Sequence, residues 1–152
     1  MYDLEAELDA VRVALDRSQI AYALCGGLAV GVHGFPRATV DIDLLVPRDE
    51  EERVYEAVAP LGYTVKAKEM HFDGGATEIR RVSKIDPADG EVLMLDLLLV
   101  TPALQVVWDT RERFLWKGRE LWVVSPDGLI ALKQRRSSAT DLADIENLTQ
   151  KT

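Results

Sequence analysis

The sequence predicts one α/β (α+β) domain in which helices flank a mixed β-sheet. Apolar residues recur at helical spacing towards both ends of the chain, and short apolar runs bounded by glycine, proline or charged residues lie between them. Such interleaving of helices and strands is typical of a sheet with helices packed on it. Because 152 residues suffice for one compact core and are few for two, we expect a single domain over residues 1–152.

In the first half of the chain, helices and strands are predicted to alternate. Apolar residues recur at helical spacing from Leu4 to Leu15, and Asp3 before them is a suitable N-cap. Pro47 would end a strand, and the acidic residues after it are typical of the first turn of a helix. The expected elements are a helix over 4–17, a strand over 21–25, a helix over 27–33, a loop over 34–38, a strand over 41–46, a helix from 49 to about 59 and a strand over 62–68.

In the second half, two hairpins are predicted before two helices. Pro87–Gly90 has the composition of a turn, and Ser125 followed by Pro126 is a good helix start. The expected elements are a polar loop over 70–76, a strand over 78–83, a strand over 92–100, a short helix over 102–108, a hairpin over 115–124, a helix from 126 to about 136, and a last helix with Leu142, Ile145 and Leu148 inward and Asp141, Asp144 and Glu146 elsewhere.

Composition describes an ordinary globular protein, with 47% hydrophobic residues, 29% charged residues and a net charge of -8. No apolar stretch is long enough to span a bilayer and the acidic N terminus is unlike a secretory signal, so we expect a cytoplasmic protein without membrane contact. The net charge argues against indiscriminate nucleic-acid binding, but a basic segment could still dock a polyanion. That segment contains Arg111, Arg113, Lys117, Arg119, Lys133, Arg135 and Arg136.

Three aspartates interrupt otherwise apolar strands. Asp41 and Asp43 are one residue apart, so both carboxylates leave the same face of an extended strand. Asp96 lies alone in the apolar run 92–100, where a carboxylate requires a cation to compensate its lost hydration. If the two strands are neighbours, these acids converge as hard oxygen ligands for Mg²⁺ or Mn²⁺. A solvated strand edge is the alternative interpretation of the first pair.

The diglycine Gly26-Gly27 precedes a predicted helix and lets the backbone approach a phosphate without a Cβ in the way. Carboxylate-bound Mg²⁺ ions could hold a triphosphate, activate an acceptor hydroxyl and stabilise the leaving pyrophosphate. Such phosphoryl chemistry depends on positioning and charge neutralisation, so no protein nucleophile is required.

This combination resembles the nucleotidyltransferase superfamily of the polymerase-beta type. The motifs that carry the resemblance are Leu24-Cys25-Gly26-Gly27, Asp41-Ile42-Asp43-Leu44 and the later strand aspartate, over about residues 22 to 148. Arg37-Ala38-Thr39-Val40 before the aspartates, Leu129 to Lys133, and Asp141 to Ile145 look most like its AbiEii-type branch. That branch includes toxins of toxin–antitoxin and abortive-infection systems, which implies a cognate antitoxin or other partner protein.

The resemblance also implies roles for individual residues. Gly26 and Gly27 would contact phosphate, Asp41 and Asp43 would bind metal, and Asp96 would support metal or activate the acceptor hydroxyl. The remaining implied site residues are Arg37 and Lys133, which would reach the nucleotide phosphates, and Asp144, which would support the last helix pair or contact the nucleotide. Each of these three could instead be a solvated surface residue. Gly27 stands where many members have a phosphate-binding serine.

The sequence therefore predicts a Mg²⁺-dependent enzyme that transfers a nucleoside monophosphate from an NTP to a hydroxyl acceptor. The acceptor could be RNA such as a tRNA end, a protein side chain or a small molecule. Two alternatives stay open: a non-catalytic protein that keeps the fold to bind a nucleotide or a partner, and a metal-dependent nuclease. The second is less favoured because no lysine follows Asp96 at short spacing.

Overall fold

The computed structural model describes residues 2–134 and 139–151. The helices within these ranges are α1 (Leu4–Arg17), α2 (Gly26–Val32), α3 (Glu51–Val58), α4 (Gln105–Asp109), α5 (Pro126–Gln134) and α6 (Ala139–Lys151). The strands are β1 (Ala23–Cys25), β2 (Asp41–Pro47), β3 (Val65–Lys66), β4 (Met70–Phe72), β5 (Thr77–Ile85), β6 (Val92–Val100), β7 (Glu112–Trp116) and β8 (Arg119–Val123).

All eight strands belong to one mixed sheet with the order β3-β5-β6-β2-β1-β8-β7, and β4 pairs with the outer edge of β5. β2 runs parallel to β6, β1 runs parallel to β8, and the other neighbours are antiparallel. The fold is thus the single α/β domain with a mixed sheet flanked by helices that the sequence predicted. β2 and β6 lie at its centre, and their almost fully buried apolar residues are Ile42, Leu44, Leu45, Val46, Leu93, Leu95, Leu97 and Leu99.

The two faces of the sheet differ in how they are covered. On one face, α1 and α3 meet β5: Lys84 Nζ lies 2.7 Å from Glu7 Oε1, and Arg80 Nε lies 3.3 Å from Glu51 Oε2. Alternate residues of β5 point to the opposite face. There Ile79, together with its half-buried partner Leu98 on β6, leaves the sheet partly open to solvent.

The strand expected over 62–68 is limited to Val65–Lys66, and two further details of the predicted elements are wrong. The segment 70–76, expected to be a polar loop, contains strand β4, because the outer edge of β5 at Thr77–Ile79 offers unpaired backbone groups that β4 satisfies. The acidic helix begins at Glu51 rather than 49, after a single 3₁₀ turn over Arg48–Glu50. None of these differences changes the sheet order around the aspartates.

Helix α6 also presents a different face from the one expected. Leu148 is buried as predicted, but Leu142 is 56% exposed and Asp144 is only 2% exposed. The polar partners of Asp144, described below, explain this rotation of the helix. The side chains of Arg135, Arg136 and Asp141 lie outside the described residues. Among the described residues no helix is long and apolar enough to cross a membrane.

Candidate active site

The three predicted aspartates lie side by side on the open face of the sheet. Asp43 pairs in register with Asp96 across the parallel β2–β6 ladder, and Asp41 precedes Asp43 by one pleat on the same face. Carboxylate oxygens of the three residues lie within 4.8 Å of one another. The expectation that β2 and β6 are neighbours is therefore confirmed, and it brings the three side chains together.

This cluster suits a divalent cation of the hard, oxygen-preferring kind. Asp96 is 8% exposed, whereas Asp41 and Asp43 are partly open to solvent. The Thr39 hydroxyl donates a hydrogen bond to Asp41 Oδ1 over 3.3 Å, which helps to position this carboxylate. Closely spaced carboxylates repel one another unless a cation lies among them. Carboxylate oxygens are the donors that Mg²⁺ or Mn²⁺ prefers, and these are close enough together to hold a metal ion.

Arg81 is a member of this site that the sequence reasoning missed. It lies directly opposite Asp96 in the β5–β6 ladder and donates two hydrogen bonds to it, from Nε to Oδ1 over 2.7 Å and from its Nη2 to Oδ2 over 2.9 Å. Hydrogen bonding to Asp96 raises the pKa of Arg81, and the charges of Asp96, Asp41 and Asp43 add to the effect. The predicted turn at Pro87–Gly90 contained the signal, because a hairpin centred there pairs residue 81 with residue 96.

Gly26 forms a turn that only glycine fits. Its φ of +67° lies in the left-handed region, and a Cβ at this position would lie 2.1 Å from Asp43 Oδ2. The carboxylate of Asp43 therefore packs directly against the backbone between β1 and α2. The structure places the predicted phosphate-binding turn beside one of the predicted metal ligands.

Gly27 makes room for two side chains of the loop between α2 and β2. A Cβ there would lie 2.9 Å from Thr39 Oγ1 and 3.2 Å from Arg37 Cζ, although the backbone of Gly27 is ordinary helix. A hydroxyl and a guanidinium thus fill the space that a larger residue would occupy. Thr39 was not among the predicted site residues, but it supplies a hydroxyl at the position where Gly27 lacks one.

Arg37, Asp144 and Lys133 form one partly buried network that connects the loop before β2 to α5 and α6. Arg37 Nε lies 3.0 Å from Asp144 Oδ2, and Lys133 Nζ lies 3.0 Å from the same oxygen. The side chains of Lys133 and Asp144 are 4% and 3% exposed. The interpretation of either as a solvated surface residue is therefore wrong. Two cations, the Arg37 guanidinium and the Lys133 ammonium, thus share the Asp144 carboxylate beside the glycine turn.

Most bases of the basic segment are already engaged within the protein. Arg113 pairs with Glu120, Lys117 pairs with Glu5, and Arg119 lies 3.4 Å from Asp9. Arg111 stacks on Trp108 at 3.9 Å from the ring centroid, and burial lowers the pKa of its guanidinium. Within the described part of the chain, the segment therefore offers little unpaired charge to a polyanion.

A groove of about 460 Å³ lies on the same sheet face as the aspartates, near the ends of β2 and β6. It is lined by Pro47, Arg48, Asp49, Val100, Gln105 and Trp108. Pro47 follows Asp43 by four residues, so the groove lies about 13 Å from the carboxylates along the strand. It adjoins the candidate site and does not contain the carboxylates.

Several solved structures have the same fold. The lincomycin-bound lincosamide antibiotic adenylyltransferase LnuA is 18% identical, with a TM-score of 0.65 over 97% of this chain and 98% of that chain. ANT(2″)-Ia in complex with adenylyl-2″-tobramycin is 13% identical, with a TM-score of 0.69 over 96% and 87%. TM1012 of Thermotoga maritima, a candidate nucleotidyltransferase, is 15% identical, with a TM-score of 0.56 over 99% and 92%.

No protein-family model matches the sequence, and no curated protein matches it. The low identities to the solved structures show a shared fold, which spans nearly the whole chain. The chain therefore has the nucleotidyltransferase-like fold that the resemblance implied, whereas its AbiEii-type branch remains a prediction.

Proposed function

We propose that the protein is a Mg²⁺-dependent nucleotidyltransferase that transfers a nucleoside monophosphate from an NTP to a hydroxyl group of a small molecule. The observation that carries the proposal is the convergence of Asp41, Asp43 and Asp96 beside the Gly26 turn. A fold shared with two adenylyltransferases agrees with this chemistry. The reaction forms a bond between the acceptor oxygen and the α-phosphorus, breaks the bond from that phosphorus to the pyrophosphate oxygen, and releases the acceptor proton.

The residues divide this task by their positions. Asp41 and Asp43 would hold Mg²⁺ or Mn²⁺, and Asp96 would complete that ligand set or accept the proton of the acceptor hydroxyl. A bound Mg²⁺ would polarise the α-phosphoryl group and neutralise charge on the leaving pyrophosphate. The backbone amides after Gly26 and Gly27, at the start of α2, would donate to phosphate oxygens.

Arg37 would provide the positive charge for the phosphates on the far side of the glycine turn. Its guanidinium lies against Gly27 and is held by Asp144, which in turn is held by Lys133. In this arrangement Lys133 acts through Asp144 before substrate binds, because its side chain is 4% exposed. Direct contact between Lys133 and a nucleotide would require it to leave that carboxylate.

Two features support a small-molecule acceptor over RNA. The described bases of the segment 111–133 are paired with acids or stacked on aromatic rings, so they provide little of the phosphate attraction that dominates nucleic-acid binding. The groove of about 460 Å³, which lies about 13 Å from the carboxylates along the strand, has the volume of a drug-sized ligand site. LnuA binds lincomycin and ANT(2″)-Ia is seen with adenylyl-tobramycin, which are small hydroxylated molecules.

Incubation with each α-labelled NTP tests the proposal. Purified protein with Mg²⁺ or Mn²⁺ is offered aminoglycosides and lincosamides, total RNA or cell protein, beside the variant Asp41→Ala/Asp43→Ala. We expect label on a small molecule with the wild type and none with the variant. Asp16→Asn is the matched control, because Asp16 is an exposed carboxylate on α1, which packs on the opposite face of the sheet.

Label on RNA alone would overturn the choice of acceptor. Label on no acceptor, or equal label with the double variant, would overturn the assignment of transferase activity to these carboxylates and favour the non-catalytic alternative.

The toxin–antitoxin role and a cognate antitoxin follow only from the resemblance to the AbiEii-type branch. Co-purification of a small helix-turn-helix protein encoded by an adjacent gene would support them.

A further inference from the structure

The pairing of Arg81 with Asp96 gives the carboxylate cluster a cation of its own. Both oxygens of Asp96 accept hydrogen bonds from the guanidinium, at 2.7 and 2.9 Å, in a two-pronged geometry. A metal ion that used Asp96 would have to share or displace these bonds. In the β2–β6 register, by contrast, Asp41 and Asp43 lie opposite Met94 and Asp96 rather than opposite an arginine.

We propose that Arg81 competes with divalent metal for Asp96, so that metal first enters through Asp41 and Asp43 and gains the third carboxylate only when the guanidinium withdraws. The proposal rests on the proposed function in taking these carboxylates as the metal site. It makes Arg81 a positioning residue that sets how tightly the substrate-free protein holds metal.

The surroundings of Arg81 allow such a movement. Its side chain is 33% exposed whereas that of Asp96 is 12% exposed, so the arginine can leave towards solvent while the carboxylate stays in the sheet. A polyphosphate bound at the glycine turn is negatively charged, as is the Asp96 carboxylate. It would therefore offer the Arg81 guanidinium a new anionic partner. Without metal, the same ion pair reduces repulsion among the three carboxylates.

Measurement of Mn²⁺ affinity without nucleotide tests the proposal. Free Mn²⁺ is followed by electron paramagnetic resonance in titrations of the wild type, Arg81→Met and Arg81→Lys. We expect Arg81→Met to bind Mn²⁺ about fivefold to tenfold more tightly than the wild type, the gain expected from loss of a partly exposed competing ion pair. Arg81→Lys should be intermediate, because an ammonium cannot hold both oxygens in the same geometry.

The Asp96→Asn background separates competition from a general change in charge. If Arg81 acts through Asp96, the Arg81→Met change has little effect on Mn²⁺ affinity there. Arg113→Met controls for loss of a positive charge elsewhere, since Arg113 on β7 is an exposed residue paired with Glu120 on β8. Circular dichroism confirms that each variant is folded.

Mn²⁺ binding by Arg81→Met that is no tighter than that of the wild type, including no detectable binding by either, overturns the proposal. So does an equal gain in the Asp96→Asn background. These readouts do not require turnover. If the protein shows no transfer activity but its Mn²⁺ affinity follows the expected pattern, the proposed function is overturned and the role of Arg81 stands. If the protein is active but Arg81→Met does not change its Mn²⁺ affinity, the role of Arg81 is overturned and the proposed function stands.

Discussion

Gly26 shows at the scale of one residue how the site depends on a missing side chain. Its left-handed φ of +67° and the approach of Asp43 Oδ2 both exclude a Cβ. The opposite relation also occurs in the site. The space beside Gly27 is filled by the side chains of Thr39 and Arg37. The negative charge of Asp96 is compensated by Arg81. The close packing of the Asp43 carboxylate against the backbone therefore depends on glycine at position 26.

Gly26→Ala should impair catalysis more than backbone strain alone explains. The left-handed conformation costs alanine about 1 to 2 kcal/mol of stability, and the collision with Asp43 moves a metal ligand in addition. We expect nucleotidyl transfer to fall by about 100-fold, the usual effect of displacing a reacting group by about 1 Å.

Gly74→Ala is the matched control, because Gly74 has a φ of +64° and a Cβ added there would meet nothing within 4 Å beyond its chain neighbours. Urea unfolding and initial rates are measured for both variants. We expect the two variants to lose similar stability and only Gly26→Ala to lose activity. Equal activity of the two variants would show that the contact with Asp43 is unimportant.

At the scale of elements, the carboxylate of Asp144 joins α6 to α5 and to the loop before β2. Lys133, Asp144 and Arg37 come from three segments that are distant in sequence, and their contact is what turns the polar side of α6 inward. Periodicity of leucine and isoleucine could not reveal this, since a buried ion pair replaces apolar contacts on that face.

Asp144→Ala should therefore destabilise the protein strongly. It leaves the buried ammonium of Lys133 without this partner, and loss of one member of a buried pair typically costs about 3 to 5 kcal/mol. The double variant Lys133→Met/Asp144→Leu removes both charges and should recover most of the lost stability. Urea unfolding midpoints are compared. A double variant as unstable as Asp144→Ala would contradict the pairing.

Tyr63 attaches α1 to the sheet through a contact that responds to pH. Its hydroxyl donates to Glu7 Oε1 over 2.9 Å, and Lys84 Nζ donates to the same oxygen. Burial, followed by the hydrogen bond to Glu7, raises the pKa of Tyr63 above the ordinary value of 10.0. The neutral phenol is thus favoured in the folded state.

Stability from this effect is complete below about pH 10 and is lost as the pH rises above it. Tyr63→Phe keeps the ring and removes the titrating group, so its free energy of unfolding should be about 1 kcal/mol lower at pH 7 and should decline less steeply above pH 10. Urea titrations between pH 7 and 11 check this. Parallel pH profiles for the two proteins would contradict it.

At the scale of the whole molecule, the strand pattern predicted the sheet better than it predicted the polar contacts. Asp96 stood out because it interrupts an apolar run, and the parallel pairing of β2 with β6 then placed it beside Asp43. The contacts of Arg81 with Asp96 and of Arg37 with Asp144 depend on strand register and helix rotation, which composition and spacing specify weakly. Strand β4 escaped prediction for a related reason, since it is short and is stabilised mainly by the edge of β5.

The charges of the whole molecule are unevenly available to a ligand. The net charge of -8 includes the aspartates of the site, and the bases of the segment 111–133 are largely used to pair with acids of α1 and β8. The excess negative charge favours a cationic or neutral acceptor over a polyanion.

Paired labels on the NTP test the central claim most directly. The wild type is incubated with the acceptor that the labelling experiment identifies. The NTP carries its label at the α- or at the γ-phosphate, and the acceptor and released phosphates are then separated. Nucleotidyl transfer predicts α-label on the acceptor, γ-label only in pyrophosphate, equal amounts of both products, and neither product with Asp41→Ala/Asp43→Ala. Transfer of γ-label to the acceptor, or unchanged products from the double variant, would contradict the assignment of these carboxylates to attack at the α-phosphorus.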